Sequence, residues 1–71
     1  GGLMVSVKVY YDAEGKTIAV WFDDPAQEHS AEEIGEEVVL IKNREGRIIG
    51  FERLNYTVPA DEFLSVDAIA V

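Results

Sequence analysis

The chain contains no cysteine, so neither a disulfide framework nor a thiolate zinc site is available to reinforce it, and the redox compartment leans towards a reducing cytoplasm. It has a single histidine, no recognisable serine-histidine-aspartate grouping, no cysteine nucleophile and no glycine-rich phosphate loop, which leaves nucleophilic hydrolysis without its usual parts. No apolar run approaches the roughly 20 residues that cross a bilayer, and no basic segment precedes an apolar stretch at the N-terminus. A cytoplasmic, unexported protein is expected. Bases are scarce: six Lys and Arg face 14 Asp and Glu, for a net charge of −8. A surface of that sign repels phosphate backbones and anionic headgroups over about 10 Å at 0.1 M salt, which argues against direct binding to nucleic acid or membrane.

What is present is a short chain with much apolar surface to place. At 71 residues it makes one domain, and a domain of this size buries only roughly 60% of the surface of its unfolded chain. Without disulfides or a structural metal, self-association is the remaining way to reinforce so thin a core. Gly1-Gly2-Leu3 ahead of Met4 reads as a cloning remnant before a natural start, with residues 4–71 forming a single β-rich domain.

The hydrophobic period is two. Val5, Val7, Val9 and Tyr11 alternate with Ser6, Lys8 and Tyr10, which predicts a half-buried strand over Met4–Tyr11. Asp12-Ala13-Glu14-Gly15 supplies a turn, with Asp12 bonding nearby backbone and Gly15 taking positive φ. A return strand over Lys16–Phe22 sets Ile18, Val20 and Phe22 on one face and Thr17, Ala19 and Trp21 on the other, until Pro25 ends it. A second hairpin follows from Val38–Lys42 and Arg47 to about Tyr56, around Asn43-Arg44-Glu45-Gly46, where Gly46 supplies positive φ. Its second strand alternates imperfectly: Ile49, Phe51 and Arg53 share one face, Ile48, Gly50, Glu52 and Leu54 the other. A bulge near Gly50 reconciles the two patterns.

Two segments admit two readings each. Ser30-Ala31-Glu32-Glu33 fits a capping box opening a turn of helix closed by Gly35, and fits equally an extended excursion along a sheet edge. Thr57–Phe63 reads as a connection with one helical turn begun by Pro59. Leu64–Val71 alternates again and reads as a fifth strand, with a helix over residues 60–70 as the competitor. The expected fold class is therefore mainly β, or small α+β should these segments turn helical: an antiparallel sheet of four to five strands built from two consecutive hairpins. A short helical turn sits in a connecting loop, and the C-terminal strand and a second copy cover the exposed face.

Three constellations invite a chemical reading. Asp23, Asp24, Glu28, His29 and Glu32 offer oxygen and nitrogen ligands to a divalent metal, although a lone histidine in an acidic loop is ordinarily a solvated residue. Asp12 with Glu14, or Glu52 with Asp67, form carboxylate pairs of the kind used in acid-base catalysis. Asp12 and Glu14 are already explained by turn geometry. The third constellation is aromatic: Tyr10, Tyr11, Trp21, Phe22, Phe51, Tyr56 and Phe63 are many rings for a thin domain, and burying one removes on the order of 150–250 Å² from water.

Charge is uneven as well. Residues 23–37 hold seven of the 14 acids and no Lys or Arg, while Lys42, Arg44, Arg47 and Arg53 place four of the six bases on the second hairpin. That polarity suits an acidic face offered to a basic protein partner, or simply a solvated loop.

The stretch Val9-Tyr10-Tyr11-Asp12-Ala13-Glu14, the returning Ile18-Ala19-Val20-Trp21-Phe22, Glu33-Ile34-Gly35, Val38-Val39-Leu40 and Glu45-Gly46-Arg47-Ile48-Ile49-Gly50-Phe51-Glu52-Arg53-Leu54 together resemble a family of small prokaryotic domains of unknown function with a twin-hairpin layout. The resemblance spans about residues 7–56. It implies a small β-rich module without an assigned catalytic residue, and, because some members are encoded beside small toxin-like proteins, an antitoxin-like role. Arg53 stands where that pattern usually has an apolar residue.

The expected function is a non-catalytic protein-interaction module that forms a homodimer, with Trp21, Tyr10, Phe51 and Arg53 as interface residues and no cofactor. Small-ligand or divalent-metal binding through the acidic loop at 23–37 is the alternative.

Overall fold

The period-two stretches of the two hairpins find ladder partners in the computed structural model, which describes residues 5–71. The expected remnant, 1–3, and the expected start, Met4, lie outside the described residues. Five strands form: β1 (Lys8–Asp12), β2 (Thr17–Trp21), β3 (Ser30–Ile34), β4 (Val38–Lys42) and β5 (Ile48–Leu54). They make one sheet in the order β1-β2-β5-β4-β3, with every neighbouring pair antiparallel. The fold is mainly β, and the helical content of the described residues is one 3-10 turn at Pro25–Gln27. Pro25 opens that turn, and the Asp24 carboxylate caps it by accepting from the Ala26 N–H at 2.9 Å.

The β4–β5 turn follows its local chemistry. Asn43 Oδ1 accepts from the Glu45 and Arg47 N–H groups at 3.1 and 3.0 Å, and Gly46 takes φ 82°. In the β1–β2 turn Asp12 Oδ1 accepts from Gly15 N–H at 2.9 Å, but the positive φ expected at Gly15 falls on Lys16, at 56°. A side chain at Gly15 would instead displace the Asp12 carboxylate, since a Cβ there would stand 2.6 Å from Asp12 Oδ2.

Ser30–Ile34 is extended, so the edge-strand reading holds and the capping-box helix does not form. A single helical turn fixes several dihedrals for one hydrogen bond, whereas five residues laid along β4 satisfy a whole row of donors and acceptors. Gly35, at φ 75°, makes the turn into β4 rather than closing a helix.

Two expectations are corrected at the chain's ends. The first strand begins at Lys8, and Val5 and Val7 stand exposed before it. The fifth strand expected over Leu64–Val71 does not form, nor does a helix, and this segment does not cover the sheet. Beyond β5 the chain swings at Asn55, φ 57°. Tyr56 N–H then donates to Lys16 O at 2.8 Å, and Val58 N–H donates to the Tyr11 hydroxyl at 3.1 Å. These bonds carry it across the hairpin end instead of alongside a strand. Pro59 O accepts from Glu62 N–H at 2.9 Å, which closes one turn and no more.

Among the described residues the buried core is three side chains, Trp21, Ile41 and Ile49, with Ala19 packed against them. Trp21, Gly50 and Ile41 are direct cross-strand partners and share a face. The expected bulge is present: Ile41 pairs with Gly50 but Lys42 pairs with Ile48, leaving Ile49 as the extra residue of β5. Its carbonyl accepts from Phe22 N–H at 2.7 Å, and its side chain joins Trp21. The indole lies over Gly50, where a Cβ would meet Trp21 Cε3 at 3.2 Å and the Val20 carbonyl oxygen at 2.7 Å.

This slot makes a prediction. Gly50→Ala is expected to cost about 1–3 kcal/mol through overpacking against backbone that cannot yield. Gly46→Ala, with nothing within 4 Å of its Cβ position, is expected to cost only the roughly 1 kcal/mol of an unfavourable φ. Denaturant unfolding of the two variants checks the ranking, and a larger loss at Gly46 would remove the slot from the account.

Candidate functional site

The register sorts the side chains of the sheet into two faces. On one, Tyr10, Ala19, Glu52, Val39 and Glu33 form a cross-strand row beside the row of Lys8, Trp21, Gly50, Ile41 and Ala31. This tryptophan face is apolar only around the indole and is ringed by charge. The opposite face carries the row Val9, Val20, Phe51, Leu40 and Glu32 and the row Tyr11, Ile18, Arg53, Val38 and Ile34. Phe22 and Ile48, each about half exposed, lengthen it at the bulge end. Most of these side chains are only half-buried, although no polar group separates them except Arg53 and the Lys42–Glu32 pair at the rim.

The four residues expected at an interface divide between the two faces. Trp21, 9% exposed, is committed to the core, and Tyr10 stands on the same side at 54% exposure. Phe51 and Arg53 are on the opposite side. Phe51 packs against Phe22 with ring centroids 6.0 Å apart, and Arg53 reaches Glu37 at 2.7 Å. The four therefore do not form one patch. Phe22 is the residue that sequence reasoning passed over: alternation placed it correctly with Ile18 and Val20 but did not name it at the interface, whereas Phe22 is 51% exposed.

The acidic loop does not gather into a ligand set. Asp24 is engaged in capping, Asp23 accepts from the Asp24 N–H at 2.8 Å, and Glu32 and Glu37 pair with Lys42 and Arg53. His29 enters the ladder through its backbone, donating to Lys42 O at 2.9 Å. No group of three or more His, Asp or Glu side chains converges among the described residues. Of the carboxylate pairs, Asp12 is spent on the Gly15 amide, while Glu52 lies on the tryptophan face and Asp67 in the C-terminal segment.

Two shallow grooves flank the apolar face. One, of about 330 Å³, lies between Lys8, Phe22 and Asp23-Asp24. The other, of about 300 Å³, lies where Val58, Pro59 and Leu64 pass Tyr11 and Ala13. Tyr11 also meets Tyr56 edge-on, with centroids 6.0 Å apart. No helix among the described residues is long and apolar enough to cross a membrane.

The ion pair on the β3 edge has a pH signature. A hydrogen bond from Lys42, and then the Lys42 charge, hold the Glu32 carboxyl below the usual glutamate value of 4.5. A lowered pKa in the folded state means that the stabilisation is present above the unfolded value and is lost as pH falls through the folded one. Amide exchange across β3 is therefore expected to quicken as pH drops below about 4.5, relative to β2 as an internal standard. In Glu32→Gln the acid-induced difference should disappear, and an unchanged pH profile would show that the pair does not hold the edge.

No curated protein and no solved structure matches the chain. A family model described as "Protein of unknown function (DUF2283)" matches residues 8–56, from the first residue of β1 to just beyond β5. That span takes in all five strands and the core, and the twin-hairpin layout agrees with it. The chain belongs to the DUF2283 family of domains of unknown function.

Proposed function

We propose that the protein is a non-catalytic interaction module that associates with a second copy of itself through the phenylalanine face of the sheet. The observation that carries this reading is surface. A compact monomer of 7.9 kDa exposes about 4,400 Å², and this chain exposes 5935 Å², roughly 1,500 Å² more. Its radius of gyration, 13.8 Å, exceeds the about 11 Å of a compact chain of this length. Part of that excess belongs to segments outside the sheet, where Val5, Phe63 and Ile69 stand exposed, and part to the sheet's open face, where Phe22 is exposed and Phe51, Val20, Ile18 and Leu40 are half-buried apolar side chains of the kind found at interface centres. Trp21 serves by holding the sheet together beneath them. Binding of a divalent metal by the 23–37 loop has no geometric support, because no three of its carboxylate and imidazole side chains converge among the described residues.

The net charge of −8 also suits a basic protein as a further partner, and an antitoxin-like role would be one such case. Salt separates the two modes. Apolar self-association persists at 0.5 M salt, where capture of a basic protein weakens.

Light scattering coupled to size exclusion is expected to give a dimer mass for the wild-type chain at micromolar concentration. Phe22→Asp should weaken it by about 100-fold while leaving Trp21 emission unchanged, because Phe22 is an exposed anchor and not part of the core. A monomer mass at every concentration would overturn the proposal.

A further inference from the structure

We infer that the C-terminal segment, residues 57–71, is an exchanged arm: in the dimer it lies across the phenylalanine face of the second copy, which returns its own arm to the first. This rests on the reading of that face as the association surface and names what occupies it. The arm is as apolar as the face and as bare. Phe63 is 97% exposed, Val66 63% and Ile69 78%. These three recur every third residue, the spacing that an extended chain of three residues per turn places on one side. One chain therefore carries two apolar surfaces that meet only around Tyr11, where Val58 and Leu64 pass it, and that stay bare beyond it.

The root of the arm sits on the correct side of the sheet. Tyr11, in the second row of the phenylalanine face, holds it through the bond from Val58 N–H to its hydroxyl and through its edge-on contact with Tyr56. Beyond the turn from Pro59 to Glu62 the side chains of Phe63, Val66 and Ile69 stand exposed, and the face keeps Phe22 and Ile48 about half in water. Length is sufficient. Eleven steps from Ala60 to Val71 span on the order of 35 Å at about 3.1–3.3 Å per residue, against about 19 Å between the outer strands of a five-stranded sheet.

Area is sufficient too. Burying the three arm side chains at roughly 100 Å² each, with as much face beneath them, and doing so twice, removes about 1,200 Å², the lower end of the range for a stable interface. Reciprocal exchange also closes. A two-fold pair satisfies both arms and both faces and leaves no open apolar surface to recruit a third copy.

Mixing two full-length variants tests it. One loses the arm's anchors, Phe63→Ser with Ile69→Ser; the other loses the face, Phe22→Asp. Each alone is expected to dimerise about 100-fold more weakly than the wild type. Their mixture should recover a heterodimer by native mass spectrometry, because the intact arm of one meets the intact face of the other. Isotope-filtered NMR on mixed labelled and unlabelled wild-type chains should also show contacts between the Phe63 and Phe51 rings across copies, a readout that depends on no variant. Trp21 emission reports that each variant is folded. An arm variant that keeps the wild-type dimer would overturn the exchange while leaving the face as the association surface, with the two faces meeting directly. Two weakened variants whose mixture yields no heterodimer would place the arm on its own face and overturn the exchange as well. A wild-type chain that stays monomeric overturns both readings.

Discussion

The contact of Trp21 with Gly50 is the joint on which the sheet depends. Two hairpins, β1–β2 and β4–β5, are each closed by their own turn, and neither buries enough to persist alone. They become one sheet where β2 pairs with β5, and at that seam the indole lies in the gap left by a missing Cβ while the bulge turns Ile49 towards it. Ile41 on β4 completes the cluster, so three of the five strands meet in one small core. The same bulge sends Ile48 to the opposite face beside Phe22 and so shapes the surface there.

A single sheet layer has a consequence that composition alone already suggests. With no helix or second sheet to pack on it among the described residues, only one side can close around a tryptophan, and the other keeps its apolar rows half in water. Domains are ordinarily two layers thick because a sheet must bury a face against something. Here the second layer is not built from the strands themselves, and the segment that sequence alternation marked as a cover joins no strand or helix and stays bare. The bare face and the uncovered C-terminal segment are two halves of the same deficit.

Legibility in the sequence followed the range of the interactions. Both turns were readable because Asp12, Asn43 and Gly46 act on neighbours a few residues away. The bulge was readable from the phase slip between Ile49 and Gly50. The state of Ser30–Glu33 was not, because the same residues cap a helix or line an edge, and the outer edge of β4 decided between them. The interface residues were half readable. Alternation assigned Phe51 and Arg53 correctly to one side, but it could not say that Trp21 would face a glycine 29 positions along the chain and sink into the core.

By itself, then, the sequence determined the four hairpin strands, their turns, the two sets of side chains that share a face, and an acidic chain without cysteine. Those properties arise from alternation, backbone preference and charge, all of which act locally. Which face would close, which segment would become the fifth strand, and where the C-terminal residues would go were decided by pairing between distant strands. Such pairings depend on shape, here an indole meeting the space above Gly50, and shape across a sheet exists only once the chain has folded.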